Sequence, residues 1–425
     1  MNKKIFSILI LSALLIAACG EQAAETTAIE EPVATAIVDS EEVVPPSEES
    51  ATNEGGAFTD AENPCKPFSV MSQSLVSPFG GLPEITADDW SLGPDDAVVT
   101  FMEYSEPQCP YCAQLEPILN AVQARFPDDV RVVYRHRPFP ETFHDKSILA
   151  SQALEAAGQQ GQFQELKNYL FETQSEWAPI AKDDFDGWLE DRIGQFGLDA
   201  DLFFADMYSN EIEQKIADAA NSANSLGING TPTLFINGYK WPENERGLEI
   251  FSIYVQLLKN QIKEYNSCAP TIIQPGKEYA ATISTTKGDI NVDLFADVAP
   301  YAVNSFIFLA NEGWYDGLPF ISTNEFALSG DPSDTGYGGP GYAYLDELDD
   351  SLALDEPGKL VTFSFGPGIN GSSFFINKTT LEGQQPRTIF GEVTSGMDVV
   401  NALELRDNIF NPAVDTIVSI TISEK

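Results

Sequence analysis

Positive charge is scarce in this chain of 425 residues. Lysine and arginine together number 23 against 65 aspartates and glutamates, which gives a formal net charge of −42, and there are only two histidines. No lysine or arginine occurs between Lys4 and Lys66. A polyanion of this kind repels nucleic acid and anionic lipid, so we expect neither as a specific partner. The composition predicts a well-solvated surface suited to salty or extracellular conditions.

A membrane-spanning apolar run is also missing at the N-terminus. The apolar run over residues 5–18 follows Lys3 and Lys4 and is too short to cross a bilayer as a mature helix, so it predicts a secretory signal peptide. Residues 16–19, Ile-Ala-Ala-Cys, resemble the lipobox of bacterial lipoproteins. The resemblance implies that residues 1–18 are removed and that Cys19 carries the lipid which holds the protein to a bacterial membrane. The alternative is ordinary signal cleavage with Cys19 incidental.

The next segment, residues 19–63, consists largely of Glu, Ala, Thr, Ser and Pro. It has too little apolar content to offset the entropy of ordering, so it predicts a disordered, acidic linker. Such a linker holds the folded part of the chain away from the membrane.

Cysteine is rare, with five in the chain. An exported protein works in an oxidising compartment, where thiols are paired or reactive. Cys109 and Cys112 are separated by two residues, which restricts them to redox or metal chemistry. A metal would need two further ligands, and the two histidines show no metal-binding spacing, so we expect no metal. Cys65 and Cys268 flank this pair in sequence. We predict that they form a structural disulfide joining the two ends of one domain, although sequence alone does not determine the pairing.

The surroundings of the close pair predict a reactive thiol. Residues 98–104 are rich in β-branched and aromatic side chains, which indicates a buried strand. Apolar residues recur at helical spacing over residues 115–126. Cys109 therefore lies at a helix N-terminus, where unpaired N–H groups and the helix dipole favour a thiolate. Further along, residues 130–134 predict a strand, residues 145–223 predict helices, and residues 247–265 predict a final helix.

This order of elements, with Gly-Thr-Pro-Thr at residues 230–233 before a strand, resembles the thioredoxin fold in its DsbA form. The resemblance implies an α/β thioredoxin fold with a helical insertion over residues 64–270. It also implies that Cys109 attacks, that Cys112 resolves the mixed disulfide, and that the Thr231–Pro232 bond beside them is cis. Glu103 matches the buried acid that exchanges protons with the resolving cysteine. The chemistry is thiol–disulfide exchange without a cofactor.

Tyr111 stands between the two cysteines, where strongly oxidising relatives carry a histidine. A phenol does not offer the same stabilising charge to a thiolate. We therefore predict a milder oxidant, with a Cys109 pKa well above about 3.5.

After a short linker at residues 271–277, the pattern changes to alternating strands and turns, which predicts a closed antiparallel barrel over residues 278–425. This half resembles the cyclophilins, the barrel-type peptidyl-prolyl isomerases. The resemblance implies an all-β, cyclophilin-like closed barrel with flanking helices. It is carried by residues 286–290, 299–300, 304–306, 313–318, 330–332, 336–341, 370–376 and 390–393.

The isomerase site departs from the family pattern. Cyclophilins carry a catalytic arginine in a Phe-His-Arg run, and the matching residues here are Phe320, Ile321 and Ser322. Thr380 also replaces the family's tryptophan. We expect a domain that binds peptide and is weak or inactive as an isomerase; an active isomerase or chaperone and a non-catalytic, client-binding scaffold are the alternatives. The resemblance assigns to this degenerate pocket Phe320, Ser322, Phe326, Ser329, Ser364, Ser373, Phe375, Leu381 and Arg387.

Both resemblances concern the handling of unfolded or partly folded exported polypeptides, one at cysteines and one at prolines. The sequence therefore predicts a membrane-anchored, extracytoplasmic thiol:disulfide oxidoreductase that faces the periplasm or the cell surface. Its expected partners are exported polypeptides and a redox partner protein.

Overall fold

A computed structural model describes residues 64–70, 79–243, 245–364, 366, 368–381, 383, 386–406 and 411–425. The predicted signal peptide, the lipid attachment at Cys19 and the acidic linker lie outside these residues. Within the ranges described, no helix is both long enough and apolar enough to cross a bilayer.

The described residues form two sheets. A short strand, β1 (Cys65–Pro67), comes first and pairs into the second sheet. The first sheet has the order β2-β4-β3-β5-β6 and consists of β2 (Trp90–Leu92), β3 (Val99–Ser105), β4 (Val130–His136), β5 (Thr233–Ile236) and β6 (Tyr239–Lys240). Strands β3 and β4 are parallel and are connected by helix α1 (Pro110–Arg125), as the sequence predicted; the other pairs are antiparallel.

A helical insertion separates β4 from β5. It comprises α2 (Ser147–Gln159), α3 (Phe163–Glu172), α4 (Gln174–Trp177), α5 (Phe185–Ile193), α6 (Ala200–Met207) and α7 (Asn210–Ser225). Its buried residues, among them Trp177, Phe185 and Phe203, form a core that also includes Cys109 and Cys112. The insertion therefore packs directly over the cysteine pair. Helix α8 (Leu248–Gln261) packs beside α1 against the sheet, where Phe251 contacts Phe101 and the two helices share a core.

The second sheet has ten strands, including β1. The others are β7 (Tyr279–Thr285), β8 (Gly288–Leu294), β9 (Ile321–Ser322), β10 (Phe326–Ser329), β11 (Tyr342–Tyr344), β12 (Lys359–Ser364), β13 (Asn370–Asn377), β14 (Ile389–Ser395) and β15 (Ile417–Glu424). Helices α9 (Pro300–Asn311) and α10 (Met397–Ala402) flank this sheet. The core inside its curve includes Phe306, whose ring contacts those of Phe374 and Phe390.

The predicted closed barrel is only partly realised. The strand order is β1-β11-β13-β12-β14-β8-β7-β15, with β10 paired to β13 and β9. In the residues that the structure describes, single bridges, Pro319–Thr416 and Ser322–Arg406, take the place of a continuous ladder between the ends. Strand β9 has only two residues, which is too short to carry such a ladder. The sheet is therefore a curled, incomplete barrel.

The predicted Cys65–Cys268 disulfide is present, but it does not join the two ends of the first domain. Strand β1 pairs antiparallel with β11, so that Cys65 lies opposite Tyr344, and both cysteines pack against the core of the second sheet. The assignment of residues 65–67 to the first domain was therefore wrong. An edge strand such as β11 exposes unpaired N–H and C=O groups, and β1 satisfies them.

Candidate active site

The two cysteines occupy the first turn of α1. Cys109 is the N-cap residue and Pro110 follows at the first helical position, where a missing N–H has no cost. Cys109 is 3% exposed, Cys112 is fully buried, and both thiols are free. Tyr111, directly before Cys112, is 64% exposed. Cys109 therefore lies nearer the surface than Cys112.

The loop before β5 meets Cys109. The Thr231–Pro232 peptide bond is cis, as the resemblance implied. In its protonated form, Cys109 donates a hydrogen bond through its thiol to the Thr231 carbonyl at 3.3 Å. Because β5 lies beside β3, the turn that follows β3 and the loop that precedes β5 meet at one edge of the sheet.

The two thiols differ sharply in acidity. The pKa of Cys109 is lowered to about 6, mainly by the hydrogen bond from the Cys112 side chain, with help from Thr231 and against the effect of burial. The pKa of Cys112 is raised well above its ordinary value by burial and then by the neighbouring Cys109. At neutral pH, Cys109 is therefore the thiolate and Cys112 keeps its proton.

A buried polar cluster lies beneath Cys112. Glu103, on β3, is fully buried, and among the residues described its carboxyl oxygens have no hydrogen-bond partner. Burial, followed by repulsion from Glu116, raises the pKa of Glu103 well above its ordinary range. The Ser105 hydroxyl lies next to both Cys112 and Glu103, where it opposes the effect of burial on each pKa. Ser105 therefore lies on a path between the resolving thiol and the acid.

Sequence reasoning identified Glu103 but missed its two charged neighbours. Lys167 Nζ lies 2.5 Å from Glu116 Oε1, and both side chains are buried. Glu116 follows Cys112 by one helical turn, a spacing visible in the sequence. Lys167 comes from α3 of the insertion, so no local pattern connects it with the cysteines. Together the three residues place two carboxyl groups and one ammonium group under the active site.

Two more contacts at the mouth of the site were not predicted. Glu106 is fully buried, with Oε1 2.5 Å from Nδ1 of His144. Gln174, on α4, donates hydrogen bonds through Nε2 to the carbonyls of Pro107 (2.7 Å) and Cys109 (2.9 Å). The insertion therefore fixes the backbone of the turn that carries the nucleophile.

In the second domain, an apolar cluster lies on the convex side of the sheet. It includes three predicted pocket residues, Phe326, Phe375 and Leu381, and Arg387 lies beside it, 5.6 Å from the ring centroid of Phe363. Ser364 lies at the end of β12 opposite Asn370, and no pocket contact is seen for it in the part described. A cleft next to the cluster is lined by Ile321, Leu328, Ser329 and Ser373.

Phe320 and Ser322 do not belong to this pocket, contrary to the prediction. Phe320 is buried in the interior core, whereas Ile321 packs against the outer apolar cluster. Ser322 is fully buried, and its hydroxyl contacts the Leu403 carbonyl and the Lys378 ammonium. Successive residues of a strand face opposite sides of the sheet, so only the middle residue of this run faces the cleft.

No cluster of three or more His, Cys, Asp and Glu side chains suited to a metal ion occurs in the ranges described. Residues 86–256 match a family profile described as Thioredoxin, and residues 280–422 match one described as Cyclophilin type peptidyl-prolyl cis-trans isomerase/CLD.

Known proteins resemble separate parts of the chain. The Na(+)/H(+) antiporter NhaA 1 of Mycolicibacterium gilvum is 33% identical over 154 residues, which cover 35% of this chain and 23% of the antiporter. This chain thus spans about a quarter of the length of the antiporters that it matches. Among solved structures, alpha-DsbA1 of Wolbachia pipientis is 20% identical over 42% of this chain and 94% of its own, with a TM-score of 0.38.

The probable peptidyl-prolyl cis-trans isomerase A of Mycobacterium leprae is 37% identical over 166 residues, which cover 34% of this chain and 91% of that protein. A relative matched over nearly its whole length identifies the second domain, and the first profile identifies the domain before it. The chain therefore belongs to the cyclophilin-type peptidyl-prolyl cis-trans isomerase family and joins that domain to a thioredoxin-family domain.

Proposed function

We propose that this protein is an extracytoplasmic thiol:disulfide oxidoreductase that acts on exported polypeptides and is held to a membrane by lipid on Cys19. The observation that carries the proposal is the asymmetry of the cysteine pair. Cys109 has a lowered pKa and contacts the Thr231 carbonyl, whereas Cys112 is fully buried and keeps its proton. Such an asymmetry suits one cysteine to exchange with clients and the other to resolve the mixed disulfide.

Thiol–disulfide exchange at this pair can run in either direction. In oxidation, a client thiolate attacks Cys109 Sγ of the oxidised pair, and Cys112 leaves as a thiolate that takes a proton from Glu103. A second client thiolate then attacks the client sulfur of the mixed disulfide and releases the Cys109 thiolate. The client becomes a disulfide, the pair becomes a dithiol, and the redox partner reoxidises it. In reduction, the same bonds form and break in the reverse order.

The test compares wild type with Cys109→Ser in an insulin-reduction assay and in refolding of reduced RNase. We expect Cys109→Ser to abolish both activities and Cys112→Ser to trap mixed disulfides with clients. A Cys65→Ser/Cys268→Ser variant is the control, because it removes the structural disulfide and keeps both active-site cysteines, and it should remain active. Equal rates for wild type and Cys109→Ser would instead favour the client-binding scaffold.

We infer that the second domain binds proline-containing peptide and is weak or inactive as an isomerase. The apolar cluster around Phe375 supports binding. Ile321, which faces the cleft from the run where the family has its arginine, supports weak catalysis. A protease-coupled isomerisation assay tests this on the full chain with both active-site cysteines replaced by serine. A fragment of residues 278–425 is unsuitable, because it lacks β1 and Cys268.

We expect isomerisation at the uncatalysed rate together with measurable binding of a fluorescent prolyl peptide that Phe375→Ala weakens. A rate clearly above background that Phe375→Ala removes would identify an active isomerase. Lipid attachment is tested separately, by labelling with a fatty-acid analogue. The label should be present on wild type and lost in Cys19→Ser.

A further inference from the structure

Glu106 and His144 form a pair beside Cys109 that has no part in the proposed exchange steps. Both carboxyl oxygens of Glu106 are engaged: Oε1 lies 2.5 Å from His144 Nδ1, and Oε2 accepts a hydrogen bond from the Gln108 N–H at 2.8 Å. The Glu106 carbonyl accepts a hydrogen bond from the Cys109 N–H at 3.2 Å. The buried carboxyl group is therefore held in the same turn that carries the nucleophile.

By itself, Glu106 opposes formation of the thiolate. The pKa of Cys109 is lowered mainly by Cys112, and the charge of Glu106 acts against this effect. Two negative charges that are close together and shielded from water repel each other strongly, so an uncompensated Glu106 disfavours ionisation of Cys109. A cation fixed on Glu106 removes that repulsion.

His144 is placed to be that cation. Its bond to Glu106 raises the pKa of the imidazole, and burial opposes this only in part. Cys109 and Asp145 also favour the charged imidazole. Asp145 is itself paired, since its Oδ1 lies 2.7 Å from Lys146 Nζ.

The other neighbours of the imidazole ring are aromatic. The rings of Phe139 and Phe143 contact it. The Arg137 guanidinium packs on Phe139, 4.6 Å from the centroid of that ring. The charged group bonded directly to the imidazole is therefore Glu106.

We propose that His144 is a positioning residue for the exchange reaction: as an imidazolium held by Glu106, it cancels the carboxylate charge and keeps Cys109 available as a thiolate. The inference rests on the proposed oxidoreductase function. It gives the active site a cation, although neither of the two residues between the cysteines, Pro110 and Tyr111, is basic. It also makes the nucleophile pH-sensitive, because loss of the His144 proton leaves the Glu106 charge unbalanced.

The first test is a double-mutant cycle on the reduced, full-length protein. The Cys109 pKa is measured from the pH dependence of iodoacetamide alkylation, which requires no client. His144→Gln keeps a hydrogen-bond donor and removes the charge, so it should raise the Cys109 pKa by about one unit. At pH 7, a shift from about 6 to about 7 makes the oxidised pair roughly fivefold less oxidising in a glutathione buffer.

In the Glu106→Gln background, where no charge needs to be cancelled, the same His144→Gln change should have less than about a third of that effect. Lys182→Gln is the matched control, because it also removes a cation, one that pairs with Glu141, three residues before His144. This substitution should leave the Cys109 pKa unchanged. Equal effects of His144→Gln in both backgrounds, or none in either, would overturn the proposal.

A second test needs no substitution at His144. Coupling between two titrating groups is reciprocal, so Cys109→Ser should lower the pKa of His144 in an NMR titration. The chain has only one other histidine, His136, which serves as the internal reference. An unchanged His144 pKa refutes the coupling. If the coupling is present but wild type does not turn over clients, the proposed oxidoreductase function is refuted and the coupling is not.

Discussion

Cys65 is bonded to Cys268 across a sequence separation of 203 residues, and the bond connects the first described strand to the segment that follows α8. Strand β1, which begins at Cys65, pairs with the edge of β11. Nearby, the Tyr265 N–H donates to the Pro340 carbonyl at 2.8 Å, and Asn260 Nδ2 donates to the Gly339 carbonyl at 3.1 Å. The start of the described chain and the end of the first domain therefore hold the same segment of the second domain.

Removal of this bond should destabilise the second domain more than the first. For a Cys65→Ser/Cys268→Ser variant we expect a loss of about 2–5 kcal/mol in the free energy of unfolding, because the cross-link restricts a very long loop in the unfolded chain. Trp314 is the only tryptophan in residues 278–425, so its fluorescence, with the other four tryptophans replaced by phenylalanine, reports this domain. An unchanged denaturation midpoint at Trp314 would contradict the prediction.

Ionisation of Cys109 should control both reactivity and the stability of the reduced protein. Alkylation of Cys109 should rise to half its maximum near pH 6, whereas Cys112 stays unreactive at that pH. The folded pKa lies below that of an unfolded cysteine, about 8.5. The ionised thiol therefore stabilises the reduced fold fully above the unfolded value, and this contribution is lost as the pH falls through about 6.

The measurement is urea denaturation of the reduced and oxidised proteins between pH 5 and pH 9. The stability of the reduced form relative to the oxidised form should increase over this range. Cys109→Ser cannot form the active-site disulfide, so it serves as the control for the reduced form: its stability should lack the increase that reduced wild type shows between pH 6 and pH 8. A constant difference between reduced and oxidised wild type would exclude a low Cys109 pKa.

Lys167 should be essential to the buried cluster at neutral pH. Lys167→Met leaves Glu116 and Glu103 without their cation, and breaking a buried ion pair in this way typically costs about 3–5 kcal/mol. Because the pKa of Glu103 is raised, Glu103 carries a proton at low pH, so the difference between the variant and wild type should be smaller at pH 4 than at pH 8. Thermal unfolding over pH 4–8 measures this.

Glu103→Gln provides the opposite case. Because the folded pKa of Glu103 is raised, its contribution to stability is present below the unfolded pKa and is lost as the pH rises through the folded value. The amide should therefore make the protein more stable than wild type at pH 8 and slow the release of mixed disulfides by Cys112. Identical pH profiles for Glu103→Gln and wild type would remove Glu103 from the proton path.

An arginine should be tolerated at Ile321 but not at Ser322. Ile321 borders the cleft, whereas Ser322 is fully buried, so Ser322→Arg buries an unpaired cation and should cost about 3 kcal/mol or more. Ile321→Arg should cost about 1 kcal/mol. It should also raise the isomerisation rate, because it places a hydrogen-bond donor on the cleft side. Equal stability of the two variants, or a gain in activity only with Ser322→Arg, would contradict the strand orientation.

Local sequence was sufficient for the centre of the active site. The strand over residues 99–105, the cysteine pair at the start of α1 and the residues before β5 are short-range patterns with direct physical causes. The resemblance to the DsbA form added the cis bond at Pro232, which the structure contains, and the role expected for Glu103. Both positions lie within or next to strands that flank the helix, so their placement follows once the fold is known.

Only the tertiary structure decided which distant side chains complete the active site and which residues of each strand face the core or the cleft. Lys167 meets Glu116, and His144 meets Glu106, because the helical insertion and the loop before it fold over the sheet, and no sequence period encodes such contacts. Neighbouring residues of a strand face opposite sides of the sheet, so the strand's register decides which one lines the cleft. Here Ile321 lines it and Ser322 is buried. Likewise, Cys65 joined the second sheet because the edge of β11 was open to pairing, a condition set by strands almost 280 residues further along the chain.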